Sequence, residues 1–197
     1  MRRVLACLTV LTLVLGCDNG GNSDTTEQAP SVPGPVLPPE QQPTPGGGIV
    51  EQQQFMVFHN LKRCWHDAPD IKWNESLAQT ARNHAATCSG AKDPLLDSSY
   101  GESVALGAGL DVIKAQDNWY IAGIFYPYGQ ATGPDSMAEF SQMVWRSTEY
   151  VGCASASCAS GNFYVCRYYT KGNTPGSYAD NVHALTAEFY KCSGMSR

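Results

Sequence analysis

Eight cysteines in 197 residues constrain this chain more than any other feature. At that density the thiols are expected to pair in an oxidising compartment, and a reducing cytosol is largely excluded. The eight do not form one set. Met1-Arg2-Arg3 is a short basic start, Val4 to Leu15 is a mostly apolar run, and Gly16-Cys17 follows. That is the layout of a secretory signal: its apolar run is about a dozen residues, where a bilayer-spanning helix needs about 20. Cys7 is expected to leave with the signal.

The end of the run, Val14-Leu15-Gly16-Cys17, resembles the lipobox of bacterial lipoproteins, in which cleavage falls after the small residue and the cysteine sulfur receives a diacylglycerol. The resemblance implies a signal peptide over residues 1–16 and a lipidated Cys17 that holds the protein to the membrane. An ordinary signal with a coincidental cysteine is the alternative. Residues 17–48 hold seven of the twelve prolines and close on Gly46-Gly47-Gly48, with no aromatic, Lys or Arg among them. Such a segment cannot bury enough apolar surface to offset its ordering entropy, so it reads as a solvated, disordered linker. About thirty residues of polyproline II would reach at most about 95 Å. The whole chain carries 13 Lys+Arg against 18 Asp+Glu, a formal charge of -5. Without Arg2 and Arg3 the balance is 11 against 18, about -7. That excess argues against nucleic-acid partners and against electrostatic docking on anionic lipid.

The folded part is expected over 49–197, as one domain. Val50 to His66 reads as a helix with Phe55, Phe58, Leu61 and Trp65 on one face, stopped by a turn through Asp67-Ala68-Pro69. Asn74 reads as the N-cap of a second helix, with Leu77, Ala81, His84, Ala85 and Cys88 along one face. Pro94 and Gly101 bracket a loop. Asp111 reads as the N-cap of a third helix with an inner stripe of Val112, Ala115, Trp119, Ala122 and Tyr126; Asp135 caps a fourth that buries Phe140, Met143 and Val144. Tyr150 to Ala154 and Asn162 to Tyr169 read as an antiparallel hairpin separated by the small residues Ser155 to Gly161. Helices first and paired strands late point to an α+β domain.

Several short stretches, in this order, resemble the CAP superfamily of cysteine-rich secretory proteins, antigen 5 and pathogenesis-related proteins. They are His59-Asn60 with Arg63, His66, Pro69 and Trp73-Asn74; Gly101-Glu102-Ser103; Glu139 to Thr148 around Trp145; Val151-Gly152-Cys153-Ala154; and Val165-Cys166-Arg167-Tyr168 with Gly172-Asn173. The resemblance covers roughly Phe55 to Gly176. It implies a three-layer α-β-α sandwich, a small antiparallel sheet flanked by about four helices. Six cysteines allow fifteen pairings, which spacing does not resolve. The resemblance implies Cys88–Cys158 and Cys153–Cys166, leaving Cys64–Cys192. Trp73, Trp119 and Trp145 are expected as core anchors. His59 and His66 are expected as structural histidines, and Asn60 and Asn173 as partners of backbone groups at bends.

Many members of this superfamily have a cavity with two His and two Glu that can hold a divalent cation such as zinc. Carried over by position, these four fall on Lys92, Glu102, Ala122 and Glu139, so that one of the four is kept. No histidine lies between His84 and His183. A metal site is therefore not expected, nor any cofactor, and a charge cluster of Glu102 and Glu139 with Lys92 as partner is the expectation in its place. Ser141 has no accompanying His for hydrolase chemistry. No catalytic residue is assigned. The resemblance implies sterol, fatty-acid or protein binding for the class. A noncatalytic domain, tethered outside the cytoplasm in a bacterial envelope and binding a lipid-like ligand or a protein partner, is the leading reading. A hydrolase- or protease-like activity and a structural or adhesive surface module are the alternatives.

Overall fold

The computed structural model describes residues 48–187 and 189–193. The expected signal peptide, the lipidated Cys17 and nearly all of the linker lie outside the described residues. Helix α1 (Ile49–Trp65) buries Phe55 and Phe58 with His59, Lys62 and Arg63. It stops where Asp67 takes a left-handed φ of 55° and the Ala68 amide bonds back to Arg63 O. Strand β1 (Lys72–Trp73) follows. Asn74 then caps α2 (Glu75–Ala85), its side chain accepting from the Leu77 amide. In the same way Asp111 caps α3 (Val112–Ile121) through the Lys114 amide. Asp135, read as a cap, instead lies inside a 3-10 turn (Asp135–Met137) whose side chains cap nothing. That turn leads into α4 (Ala138–Val144).

Strands β2 (Gly101–Gly107), β3 (Tyr150–Cys158) and β4 (Gly161–Tyr169) complete a sheet in the order β1-β3-β4-β2. β3 and β4 continue through the small residues read as a separator and meet at Cys158 and Gly161. β2 pairs antiparallel with β4, and β1 adds a parallel edge beside β3. A fifth, short helix, α5 (Tyr178–Asn181), follows the sheet.

The alternation along each strand divides the core in two. Val104, Leu106, Ala154, Phe163 and Val165 face α2 and pack on Ala81 and Ala85. Gly152 is required in this layer, because a Cβ there would run into the backbone of Asn74 to Ala78. The opposite face sets Val151, Cys153, Tyr164, Cys166 and Tyr168 against α1, α3 and α4, with Phe55, Trp119, Phe140 and Trp145 inside. The result is three layers: α2, the sheet, and the group of three helices. Trp119 and Trp145 are 3% and 2% exposed, whereas Trp73 is only partly buried and donates to Glu75 at the surface.

Three disulfides tie the layers. Cys64–Cys192 fastens α1 to the 3-10 turn Phe189–Ser193, Cys88–Cys158 joins the end of α2 to the end of β3, and Cys153–Cys166 crosses the hairpin. With its cysteines 70 positions apart in sequence, Cys88–Cys158 alone contributes on the order of 4 kcal/mol in the loop-entropy model.

Candidate functional site

Of the four positions carried over from the superfamily cavity, Glu102 and Glu139 each carry a cation partner. Glu102 and Arg167 are register partners on β2 and β4, so both side chains lie on the α2 face. Arg167 Nε donates to Glu102 Oε1 at 3.2 Å and its Nη2 to Asp93 Oδ2 at 2.6 Å, while the Asp93 amide donates to Glu102 Oε2 at 2.7 Å. Asp93 is held below the usual carboxylate range first by the Leu95 amide and then by Arg167. Glu139, on α4, pairs instead with Lys92, Nζ to Oε1 at 3.0 Å. Ala122 caps the end of α3 and offers no ligand atom. Lys92 thus partners Glu139, while Glu102, aimed at the α2 side by the pleat, is held by Arg167 and by the amide of Asp93, the residue next to Lys92.

This arrangement does not suit a divalent cation. Zinc needs about three or four neutral imidazole, thiolate or carboxylate donors. Here an ammonium lies on Glu139, a guanidinium on Glu102, and among the described residues no three His, Cys, Asp or Glu side chains converge. Zinc is therefore expected to leave the melting temperature of the disulfide-bonded protein unchanged, with or without prior chelation. A midpoint that climbs steadily with zinc concentration, as ligand linkage requires of a native-state site, would contradict this assignment.

The buried polar residues of α1 have structural partners. His59 Nδ1 lies 2.9 Å from Phe55 O and its Nε2 3.0 Å from Tyr168 Oη. A carbonyl only accepts, so Nδ1 carries the proton and Nε2 accepts from the tyrosine. Burial pushes His59 down to about 4 and Tyr168 well above its ordinary value. Asn60 donates to Ile71 O and accepts from the Ile71 amide. Asn173, at a φ of 56°, donates to Ala138 O and accepts from Ser141 Oγ. Ser141 therefore faces an amide oxygen, not a base.

The feature with the clearest capacity to hold a molecule lies elsewhere. Between the end of α1, the end of α3 and α4 is an open cleft of about 290 Å³. It is lined by Trp65, His66, Tyr120, Gly123, Ile124, Tyr128, Phe140 and Leu185. Phe140 is its hub, with the rings of His66, Tyr120 and Tyr126 at 5.2, 5.6 and 5.2 Å. Gly123 lets the turn lie on that ring, since a Cβ would enter it. Two polar side chains of the walls are tied down. His66 Nδ1 donates to His183 O at 2.6 Å and Nε2 accepts from Tyr120 Oη at 3.0 Å. Burial lowers the His66 pKa and raises Tyr120 to about 12, so both are neutral near pH 7. The Lys62 ammonium stacks over the Trp65 and Tyr120 rings, at 3.8 and 4.2 Å. The cleft presents aromatic and aliphatic surface with little charge of its own.

Of these residues Trp65 and Phe140 are marked by the sequence as buried helix positions and His66 as structural, whereas Tyr120, Gly123, Ile124, Tyr128 and Leu185 are not singled out. A signal was present: five of the ten residues from Trp119 to Tyr128 are aromatic, on a stretch where α3 ends at Ile121 and a turn follows.

Comparison with known proteins fits this fold. The chain is 38% identical over 134 residues to Protein PRY2 of Saccharomyces cerevisiae, covering 64% of this chain and 39% of that protein. It is 31% identical to pathogenesis-related protein 1C of Nicotiana tabacum, covering 64% of this chain and 78% of that one. The chain spans between 39% and 54% of the length of four of the fungal relatives it matches. Among solved structures, that of NaASP2 with Zn2+ superposes with a TM-score of 0.60 at 22% identity, over 76% of this chain and 93% of that one. Residues 57–168 match the model of the cysteine-rich secretory protein family, CAP. With that match over more than half its length, the chain is a member of the CAP family.

Proposed function

We propose that this protein is a noncatalytic binding domain that works outside the cytoplasm, held to a membrane through a lipidated Cys17, and that it takes a lipid-like ligand in the aromatic cleft. The observation that carries this reading is the cleft itself: about 290 Å³ lined by aromatic and aliphatic side chains, with His66 and Tyr120 bonded to each other. Ligand pockets are concave and mostly apolar with few polar groups, and this volume suits a ring system or a short stretch of acyl chain. The family to which the chain belongs is described as secretory, and three disulfides suit an oxidising compartment. Both support an extracytoplasmic location. A noncatalytic role is supported by the pairing of Glu102 and Glu139 with cations and by Ser141 donating to Asn173.

The test is a titration of the disulfide-bonded protein with the neutral dye Nile red. Saturable binding is expected. Leu185→Asp puts a carboxylate on a wall residue that is 56% exposed, so folding is spared while a buried ligand would meet a charge. That variant is expected to weaken dye binding at least about tenfold, a factor worth about 1.4 kcal/mol. Equal affinity for the two proteins would place the ligand elsewhere.

A further inference from the structure

We infer that the rim of the cleft is a docking surface for a neutral lipid bilayer. This rests on the reading of the cleft as a site for a lipid-like ligand, and names the source from which that ligand is drawn. Four large apolar side chains stand exposed: Ile121 at 56% and Phe125 at 86%, each next in sequence to a residue that lines the cleft, with Ile124 at 65% and Leu185 at 56%. Ile124 and Leu185 also line the cleft, so the exposed apolar surface runs continuously into it. Contiguous apolar surface on a soluble domain marks a place of contact.

Three further observations select a bilayer as the partner. First, residues 118–134 contain no Asp, Glu, Lys, Arg or His, so the exposed part of this stretch has no charge of its own to strip of water. Three amides of its turn are also bonded. The amides of Gly123, Ile124 and Tyr126 bond to Tyr120 O, Ile121 O and Gly123 O at 3.0, 3.1 and 3.0 Å. Unsatisfied backbone groups are what bar irregular chain from lipid.

Second, Trp65, Tyr120 and Tyr128 surround the mouth. Side chains that are apolar at one end and polar at the other settle at a membrane interface.

Third, the chain before Gly48 is long enough. α1 has 17 residues, so its far end, at Trp65, lies about 25 Å from Gly48. The stretch from Asp18 to Gly47 spans up to about 95 Å if fully extended. A lipid at Cys17 would leave slack for the rim to reach the same bilayer. A charge of about -7 without Arg2 and Arg3 favours neutral over anionic lipid.

The experiment is cosedimentation of the mature chain carrying Cys17→Ala, and therefore no acyl group, with phosphatidylcholine vesicles. Binding is expected, unchanged by added salt and not strengthened by phosphatidylglycerol. Phe125→Asp with Ile121→Asp, neither of which lines the cleft, is expected to lower the partition coefficient at least about tenfold. Nile red uptake and the circular dichroism spectrum should stay unchanged. Phe125→Trp should sediment at least as well as the parent. The inference is overturned if the parent stays in the supernatant, if sedimentation requires phosphatidylglycerol and vanishes with salt, or if the double variant sediments like the parent. Loss of dye uptake by the parent with Phe125-dependent sedimentation retained would reject the ligand reading and uphold the docking surface.

Discussion

Arg63→Ala is expected to destabilise the folded domain by about 5 kcal/mol, the far end of what single substitutions do. Arg63 is fully buried. Its Nε donates to Pro69 O at 2.8 Å. Nη1 reaches Met143 O and Trp145 O at 3.1 and 2.8 Å, and Nη2 reaches Arg146 O and Thr148 O at 3.4 and 2.9 Å. These acceptors lie at the turn after α1, at the end of α4 and in the segment leading into β3. The last carbonyls of a helix have no partner within it and carry its negative pole, and here a guanidinium from another helix supplies both donors and charge. Burial lowers Arg63 to about 10, which leaves it charged at neutral pH. Alanine would leave five carbonyls without these donors, several of them away from water, and each stranded group costs about 1–3 kcal/mol. Urea unfolding of the oxidised protein should show a midpoint lower by about 2 M, for a slope near 2–3 kcal/mol/M. Arg63→Lys keeps the charge but has three donors on one nitrogen, and should recover less than half the loss. A midpoint unchanged by either substitution would mean that other groups hold α4 to α1.

The second large effect is on pH dependence. The unfolded chain protonates His59 near the ordinary histidine value of 6.5, the folded one only at about 4. The chief cause is burial, and Arg63 adds a smaller effect of the same sign. Between those pH values the unfolded state binds more protons, so stability rises with pH across the window and is lost as pH falls through it. A separation of about 2.5 units corresponds to about 3 kcal/mol. The buried His66 is lowered as well and acts in the same direction. Urea midpoints measured from pH 7 to pH 4 should therefore fall steeply, and His59→Gln should flatten much of that fall. A slope that survives His59→Gln intact would assign the acid sensitivity to other groups.

Much of this fold was legible in local chemistry. The caps Asn74 and Asp111, the apolar spacing of α1 and the β-rich hairpin residues are short-range signals, and the elements they mark are present. No strand is marked over Gly101 to Gly107, because it opens Gly-Glu-Ser and its inward Glu102 disguises the alternation. Arg167 on the facing strand and the Asp93 amide explain that burial. The turn after α3 was read as more helix because Ala122 and Tyr126 keep the helical spacing, and Tyr126 is indeed buried although the helix has ended. The site was the least legible part. The cleft takes its walls from α1, α3, α4 and Leu185, and no window of sequence contains them together. Arg63 carries no local sign of its role either, since its acceptors at α4 lie about 80 residues away.

The Cys64–Cys192 bond acquires a further meaning from the cleft. The His183 carbonyl is bonded to His66, and the Thr186 amide to Trp65 O, so Leu185 sits on a strap secured to α1 by two hydrogen bonds and one covalent link. The aromatic floor around Phe140 belongs to the main core and would exchange its amides only in openings close to global unfolding. The segment around Leu185, itself 56% exposed, is more open to solvent than that floor, and exposed segments open at lower free energy than the core. Reduction of the one sulfur pair would leave this outer wall of the cleft held by the two hydrogen bonds alone.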